Sequence, residues 1–199
     1  MDAHPPMSWT PALEALLAGE GEKARGYAWL HQRCAERYAF YDSCISIPVI
    51  ILSTLAGACS VGSSSFLPES QYTSVAIGGV SIFVGILNTL GSRFAFAKRA
   101  EGHRVAYLSY SKLFAFLSIE LALPRSERMT PSDIVKWIRE ETERLAQTAP
   151  PVPPAILHDF HEAFQKEEVA KPPETNGLAR VHIVAPHEEG RVRISVASV

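Results

Sequence analysis

The chain has 199 residues, a formal net charge of −2 and three cysteines. This length leaves room for one modest folded unit beside a membrane segment, and the near-neutral charge without a Lys/Arg-rich run gives no case for a nucleic-acid partner. Three cysteines cannot all pair, so a disulfide framework is not predicted and free thiols are expected.

The N-terminal segment, residues 1–21, predicts a short helix. Thr10 followed by Pro11 is typical of a helix start, because proline fits the first helical position. Gly19 and Gly21 predict the end of this helix, since glycine is a poor helix former. A longer helix is expected to begin directly after it.

Residues 22–123 are predicted to form a long helical hairpin that crosses a membrane twice. Residues 43–68 and 70–92 contain no Asp, Glu, Lys or Arg, and these runs of 26 and 23 residues are separated by a single glutamate. Roughly 20 helical residues cross a hydrocarbon core of about 30 Å. We expect transmembrane spans at 44–64 and 72–92, joined by a short connector rich in Ser, Gly and Pro.

The alternative is a soluble helical domain that buries two apolar helices in its core. Charge-free runs of this length disfavour it, because soluble core helices usually carry charge on one face. Each span gains about 3–5 kcal/mol from its strongly apolar residues on insertion, and its Gly, Ser and Asn residues oppose that gain. Two such marginal helices are best inserted as a packed antiparallel pair.

A stripe of small residues runs along each span. Its positions alternate between spacings of four and three residues, a period that keeps one helix face towards a partner. In lipid, helices associate through small residues and through Ser or Asn hydrogen bonds. We define the helix-packing seam as these nine residues: Ser46, Ser53, Gly57, Ser60, Ser74, Gly78, Ser81, Gly85 and Asn88. Packing of the two stripes within one chain is the favoured hypothesis, and a polar pore lined by them in a homo-oligomer is the alternative.

The orientation follows from the cationic residues that flank the spans. Cytosolic segments of membrane proteins carry an excess of Lys and Arg. The connector has none, whereas both outer flanks do: Arg25, Arg33, Arg37, Arg93, Lys98, Arg99 and Arg104. Both termini are therefore expected on the cytosolic side.

The cytosolic extensions of the two long helices are expected to pack on each other. An apolar stripe of Val105, Leu108, Phe116 and Ile119 is predicted to face the first long helix. His31 and His103 should lie at similar depth below the membrane. They could face each other and sense pH, although a satisfied interhelical pair is the favoured interpretation.

Residues 124–168 predict two shorter cytosolic helices. Thr130, Pro131 and Asp133 together are typical of a helix N-terminus, and the proline-rich run at 150–154 ends that helix. A second short helix follows at about 155–168. The complete fold class is all-α: a transmembrane hairpin of two long antiparallel helices with cytosolic extensions, and two shorter cytosolic helices.

The tail, residues 169–199, differs in kind. After a polar linker, residues 180–184 and 191–196 alternate in polarity with period two, which predicts an extended segment or a β-hairpin. Two strands alone are only marginally stable. The tail is therefore expected either to add to a partner's sheet by edge pairing or to fold back on its own helices.

Motifs for catalysis, cofactor binding and metal binding are missing from the sequence. His158 and His161 have a spacing that can bind a metal, but no third ligand accompanies them, and a solvated helix face is favoured. There is no phosphate-binding loop, dinucleotide fingerprint or nucleophile elbow. We predict no enzyme, no cofactor and no metal.

The order of features resembles the SLATT family of two-helix membrane domains over residues 25–165. The matching stretches are Trp29-Leu30-His31, residues 47–57, Ala100-Glu101-Gly102-His103 and Tyr110-Ser111-Lys112-Leu113. The later residues 149–154 and 160–164 resemble versions found in large DNA viruses of eukaryotes. Bacterial relatives are associated with nucleotide-linked defence and are inferred to perforate membranes, and the family lends no catalytic residues. The tail after Lys171 departs from the family core.

Two functions are expected from this resemblance. The first is a structural or minor capsid protein of a large DNA virus. It would anchor in the inner membrane of the virion, and its cytosolic face and tail would bind capsid or other virion proteins. The alternative is a SLATT-type pore-forming effector that acts as a homo-oligomer. The lipid bilayer is a partner under both hypotheses.

Overall fold

A computed structural model of the chain describes residues 7–66 and 71–176. Within this part most residues are helical and there is no strand, so the predicted all-α class is confirmed there. The predicted β-hairpin of the tail lies outside the described residues. Six helices follow one another: α1 Pro11–Phe66, α2 Gln71–Phe94, α3 Phe96–Ala122, α4 Pro131–Thr148, α5 Pro154–Phe164 and α6 Pro173–Asn176.

Helix α1 runs without interruption for 56 residues. The predicted break at Gly19 and Gly21 is therefore wrong, and the boundary at residue 21 falls inside this helix. Tertiary packing overrides the unfavourable helix propensity of glycine, which is about 1 kcal/mol relative to alanine. Gly21 is buried, and a Cβ atom at this position would lie 3.5 Å from the Cβ atom of Leu117 in α3.

The long helices pack side by side along most of α1. As the residue number rises along α1, the number of the residue that it contacts in the partner helices falls. The contacting pairs are Glu14 with Arg125, Gly21 with Leu117, Tyr27 with Tyr110, His31 with His103, Tyr38 with Phe96, and Ile45 with Gly91. This order places the C-terminal end of α1 and the N-terminal end of α2 at one end of the pair, and α4 lies at the other end.

The buried face of α3 differs from the predicted one. Val105, Leu108 and Ile119 are 52%, 49% and 65% exposed, so the prediction that their stripe faces α1 is wrong. The buried positions are instead His103, Ala106, Tyr110, Leu113, Leu117 and Glu120. Their spacing is helical, but the histidine, the tyrosine and the glutamate made this face look polar in the sequence.

Ala95 separates α2 from α3, where the sequence predicts one continuous helix. Its backbone is left-handed, with φ 49° and ψ 45°. A non-glycine residue in this region costs roughly 1–2 kcal/mol. Backbone hydrogen bonds still bridge the break, because the Ala95 amide donates to Gly91 at 2.9 Å and the Arg99 amide donates to Ala95 at 3.0 Å. This backbone irregularity therefore lies close to Arg93, where the second predicted span ends.

Helix α4 closes the end of the α1–α3 pair that lies far from the connector. It begins as predicted, with the Thr130 hydroxyl accepting a hydrogen bond from the Asp133 amide. Ile134, Ile138 and Leu145 are buried against α1 and α3 in one core cluster. Ion pairs add to this end, since the carboxylate of Glu14 lies 2.7 Å from Arg125 and 2.6 Å from Arg128.

Helices α5 and α6 pack on a different part of α1 from α4. Leu30 and Cys34 of α1 form a second core cluster with Ile156 and Phe160 of α5. Next to α6, Pro172 approaches the backbone of Gly26 so closely that a Cβ atom there would lie 2.7 Å from the Pro172 Cδ atom. Only glycine at this position permits the contact.

Candidate functional site: the apolar spans and the groove beside them

Both long helical segments contain a stretch that is long and apolar enough to cross a membrane. Windows of 18 residues within Pro11–Ser60 and Val75–Ala122 have mean hydropathies of 1.8 and 1.7, yet only 6% of each window is buried. A core helix of a soluble protein would be mostly buried. The exposed large side chains include Ile47, Ile50, Ile51, Leu55, Val75, Ile82, Phe83, Ile86 and Leu90. The described part of this chain therefore leaves the apolar surfaces of two helices exposed.

The contact between α1 and α2 is made by apolar residues beside the predicted seam. Between residues 43 and 60 of α1 the less exposed positions are Ile45, the seam residue Ser46, Val49, Leu52 and Ala56, and those on α2 are Ile77, Val80, Val84, Leu87 and Gly91. Most of these positions precede a seam position by one residue. One residue is a rotation of about 100° around a helix. Heptad-like spacing of β-branched residues and leucines was the signal in the sequence for this second stripe.

The seam glycines do not touch the neighbouring helix. Gly57, Gly78 and Gly85 each have open space where a Cβ atom would stand, with no heavy atom within 4 Å outside the local helix backbone. The favoured hypothesis that the two stripes pack on each other within one chain is therefore wrong at these glycines. The physical reason is that larger apolar side chains occupy the contact and leave the small residues on an adjoining face.

The seam serines with described contacts bond within their own helix. The Ser53 hydroxyl donates to the Val49 carbonyl at 2.6 Å, and the Ser81 hydroxyl donates to the Ile77 carbonyl at 2.9 Å. Such bonds satisfy a hydroxyl group in an apolar environment without a partner helix. Asn88 is exposed on the same face. Apart from Ser46, the seam residues whose exposure the structure describes therefore form an open surface, on which the Ser53 and Ser81 hydroxyls are satisfied within their own helix.

Aromatic side chains from both sides of the pair gather at one level. Tyr41 lies directly before Asp42, the last charged residue ahead of the first span, and its ring is 5.6 Å from that of Phe96. Phe94 stacks on Phe96 at 5.3 Å, and Phe40 is 6.2 Å from Tyr41. Aromatic residues are enriched where membrane proteins cross the headgroup layer.

His31 and His103 form a buried pair between α1 and α3, as their expected equal depth predicted. Their Nδ1 atoms are 2.9 Å apart, so the N–H of one imidazole donates a hydrogen bond to the Nδ1 atom of the other, and each residue is 2% exposed. Tyr110 stacks on His31 at 5.5 Å and Tyr38 stacks on His103 at 5.5 Å. The Arg99 guanidinium lies over the outer Tyr38 ring, 5.9 Å from its centroid.

This geometry disfavours a positive charge on the pair. Burial, together with the neighbouring His103, lowers the pKa of His31 from 6.5 to about 4, and burial also lowers the pKa of His103. The unfolded chain binds a proton at His31 near pH 6.5, whereas the folded chain resists protonation of His31 until about pH 4. The contribution of this burial to the free energy of unfolding is therefore fully present above pH 6.5, and it is lost as the pH decreases towards 4.

We predict a loss of about 3 kcal/mol in the free energy of unfolding from His31 across this window. The measurement is thermal unfolding in detergent at pH values between 7.5 and 4.5. His31→Asn should flatten the dependence, because it removes the titrating group, and His158→Gln, on the exposed face of α5, should leave it unchanged. An equally steep dependence in His31→Asn would contradict this assignment. The carboxyl group of Glu14 titrates below the window, because hydrogen bonds from Arg125 and Arg128 lower its pKa to about 2.

A groove with a volume of about 820 Å³ lies between α1 and α5, next to the aromatic level. Its lining combines aromatic, cationic and anionic side chains: Trp29, Arg33, Glu36, Arg37, Phe40, Tyr41, Ile156, Asp159, Glu162 and Ala163. The Arg33 guanidinium lies 3.3 Å from Glu36 and covers the Trp29 ring at 5.3 Å. Arg37 lies 3.8 Å from Asp159 across the groove. The sequence analysis did not find this site, because it depends on where α5 packs.

The other candidate groups have simple ion-pair partners. Glu101 pairs with Arg104 at 2.7 Å on the surface, and His158 lies 3.9 Å from Glu162. Among the residues that the structure describes, no group of three or more His, Cys, Asp or Glu side chains could hold a metal ion. No family model, curated protein or solved structure matches the chain. The SLATT resemblance therefore stays a prediction from the sequence.

Proposed function

We propose that the chain is a non-enzymatic two-pass membrane protein, in which an antiparallel transmembrane hairpin anchors a helical body on the cytosolic side. The observation that carries this proposal is the exposure of both apolar windows, of which only 6% is buried. Lipid is the solvent that would cover such surfaces without cost. The level of aromatic rings at Tyr41, Phe94 and Phe96 supports an interface there.

The topology is tested by labelling single cysteines with a membrane-impermeant maleimide in sealed vesicles. The background carries Cys34→Ala, Cys44→Ala and Cys59→Ala. Ser8→Cys and Ser132→Cys should label from the same face of the vesicle, and Glu69→Cys should label from the other. Labelling of the first two positions from opposite faces would contradict the hairpin topology. Labelling of all three positions from one face without detergent would contradict the membrane crossing.

The particular function that we propose is structural, in a virion of a large DNA virus. The hairpin would anchor in the inner membrane, and the cytosolic body with its tail would bind the capsid shell. The support is the sequence resemblance, together with the exposed apolar side chains of Val105, Leu108 and Ile119 on α3, outside the spans. Apolar patches of this kind mark sites for protein partners.

Virions provide the test of this role. Purified particles are cross-linked, stripped with mild detergent, and separated into membrane and shell fractions. We expect the chain in the particle and cross-linked to a capsid component through its cytosolic side. Recovery of virions without any of this chain would reject the structural role while leaving the membrane topology intact.

The open seam favours a second candidate function, a pore formed by several hairpins. Gly57, Gly78 and Gly85 leave room for a helix of another copy, and an exposed amide at Asn88 is costly in lipid unless water or a partner satisfies it. Gly78→Leu with Gly85→Leu should then abolish conductance in planar bilayers. Gly79→Leu is the matched control, because Gly79 is equally open but lies off the seam. A wild-type chain that never conducts would reject this candidate.

A further inference from the structure

The groove between α1 and α5 joins a cationic row on one helix to an anionic row on the other. Arg33 and Arg37 are one turn apart on α1, and Asp159 and Glu162 are nearly one turn apart on α5. We propose that this groove binds the phosphoethanolamine headgroup of a phospholipid in the cytosolic leaflet. The proposal rests on the membrane topology proposed above, and it names a ligand for a site that the sequence did not indicate.

The groove lies at the right height for a headgroup. Phe40 and Tyr41 line its membrane-facing end and directly precede Asp42. Arg37 comes five residues before Asp42, which places its backbone about 7–8 Å further from the hydrocarbon at about 1.5 Å per residue. The headgroup layer is about 5–7 Å thick on each side of the bilayer. The long arginine side chain can therefore reach the phosphate level.

The charges of the groove are only loosely paired with each other. The 3.8 Å separation of Arg37 and Asp159 is too long for a hydrogen bond, so both groups keep hydrogen-bonding capacity for a ligand. A phosphate between the two guanidinium groups would accept their N–H bonds. The primary ammonium of the same headgroup would donate to the carboxylates of Asp159 and Glu162. Glu36 is the remaining carboxylate, and it pairs with Arg33 at 3.3 Å.

The composition of the groove distinguishes ethanolamine from the other common headgroups. Three carboxylates against two guanidinium groups make the lining net negative, which disfavours a purely anionic headgroup such as phosphoglycerol. A choline group has no N–H donor and is recognised by free aromatic faces. Arg33 covers the Trp29 ring at 5.3 Å, and Phe160 packs against the same ring in a T-shaped contact at 5.5 Å, so this ring is already engaged.

The test is native mass spectrometry of the full-length chain released from micelles that contain phosphatidylethanolamine, phosphatidylcholine and phosphatidylglycerol with identical acyl chains. We expect phosphatidylethanolamine to be retained about three- to ten-fold over each of the others. The factor is modest because ion pairs between half-exposed charges contribute little free energy. Asp159→Asn and Glu162→Gln should each reduce this preference towards one. Glu162 is 71% exposed, so its substitution leaves folding intact.

The control is Glu141→Gln with Arg144→Gln, which removes a surface ion pair on α4 far from the groove and should not alter lipid retention. Equal retention of the three lipids, a preference for phosphatidylglycerol, or an unchanged preference in both groove variants would overturn the proposal. Flotation of the same chain with vesicles in a density gradient tests the membrane topology separately. If the chain floats but shows no lipid preference, only the headgroup site is rejected. If the chain does not float, the membrane topology is rejected as well.

Discussion

Replacing Ile82 by arginine is expected to prevent the second span from entering the bilayer. Ile82 lies near the middle of residues 72–92 and is 69% exposed. The substitution removes a favourable isoleucine and adds an arginine, a combined cost of about 3–4 kcal/mol on insertion scales. That cost is comparable with the whole gain of about 3–5 kcal/mol that the apolar residues of this span supply. The hairpin would then lose its second crossing.

The measurement is the position of Ser132→Cys in the labelling assay described above. With Ile82→Arg we expect this cysteine to move to the side on which Glu69→Cys labels. Ile119→Arg is the matched control, because Ile119 is 65% exposed on the same continuous arm but lies outside the spans. It should leave the topology unchanged. In a soluble protein both substitutions would be equally harmless, so identical behaviour of the two variants would contradict the membrane assignment.

The sequence predicts the helices of this fold better than it predicts their faces. Charge-free length marks the two spans, and Thr130 with Pro131 marks the start of α4, because these signals are local. The sequence did not predict the buried face of α3. This face contains a histidine and a tyrosine, which look polar in the sequence although both are buried in the fold. His103 gave its signal through its depth, which matches that of His31, rather than through hydrophobicity.

Two backbone features carried no readable local signal. Ala95 adopts a left-handed conformation although alanine is the best helix former, and Gly19 and Gly21 remain helical although glycine is a poor one. At Gly21 the packing of α3 on α1 outweighs this propensity, because the Leu117 side chain lies against it. The groove beside the spans was missed for a similar reason. Arg37 and Asp159 are far apart in sequence, and only the docking of α5 on α1 brings them within 3.8 Å.

The packing of α1 on α3 predicts a large loss of stability when Leu117 is shortened to alanine. Leu117 is 1% exposed, and its Cβ and Cδ1 atoms lie 3.5 and 3.6 Å from the position of a Cβ atom at Gly21. Leucine-to-alanine substitutions at such sites cost about 2–5 kcal/mol, through lost transfer energy and the cavity that remains. Unfolding of the purified chain in detergent, followed by circular dichroism, measures this change. Ile119→Ala, on the exposed face, should cost less than about 0.5 kcal/mol.

A double-mutant cycle with Gly21→Ala tests whether the two helices meet at this point. Alanine improves the helix propensity by about 1 kcal/mol, and in the wild-type chain its methyl group would make ordinary van der Waals contact with the Cβ and Cδ1 atoms of Leu117. In the Leu117→Ala background the Cδ1 atom is absent, so part of this contact is lost. Gly21→Ala should therefore stabilise the wild-type chain more than it stabilises the Leu117→Ala variant. Strictly additive effects would mean that α1 and α3 are not in contact at this level, because distant sites do not couple.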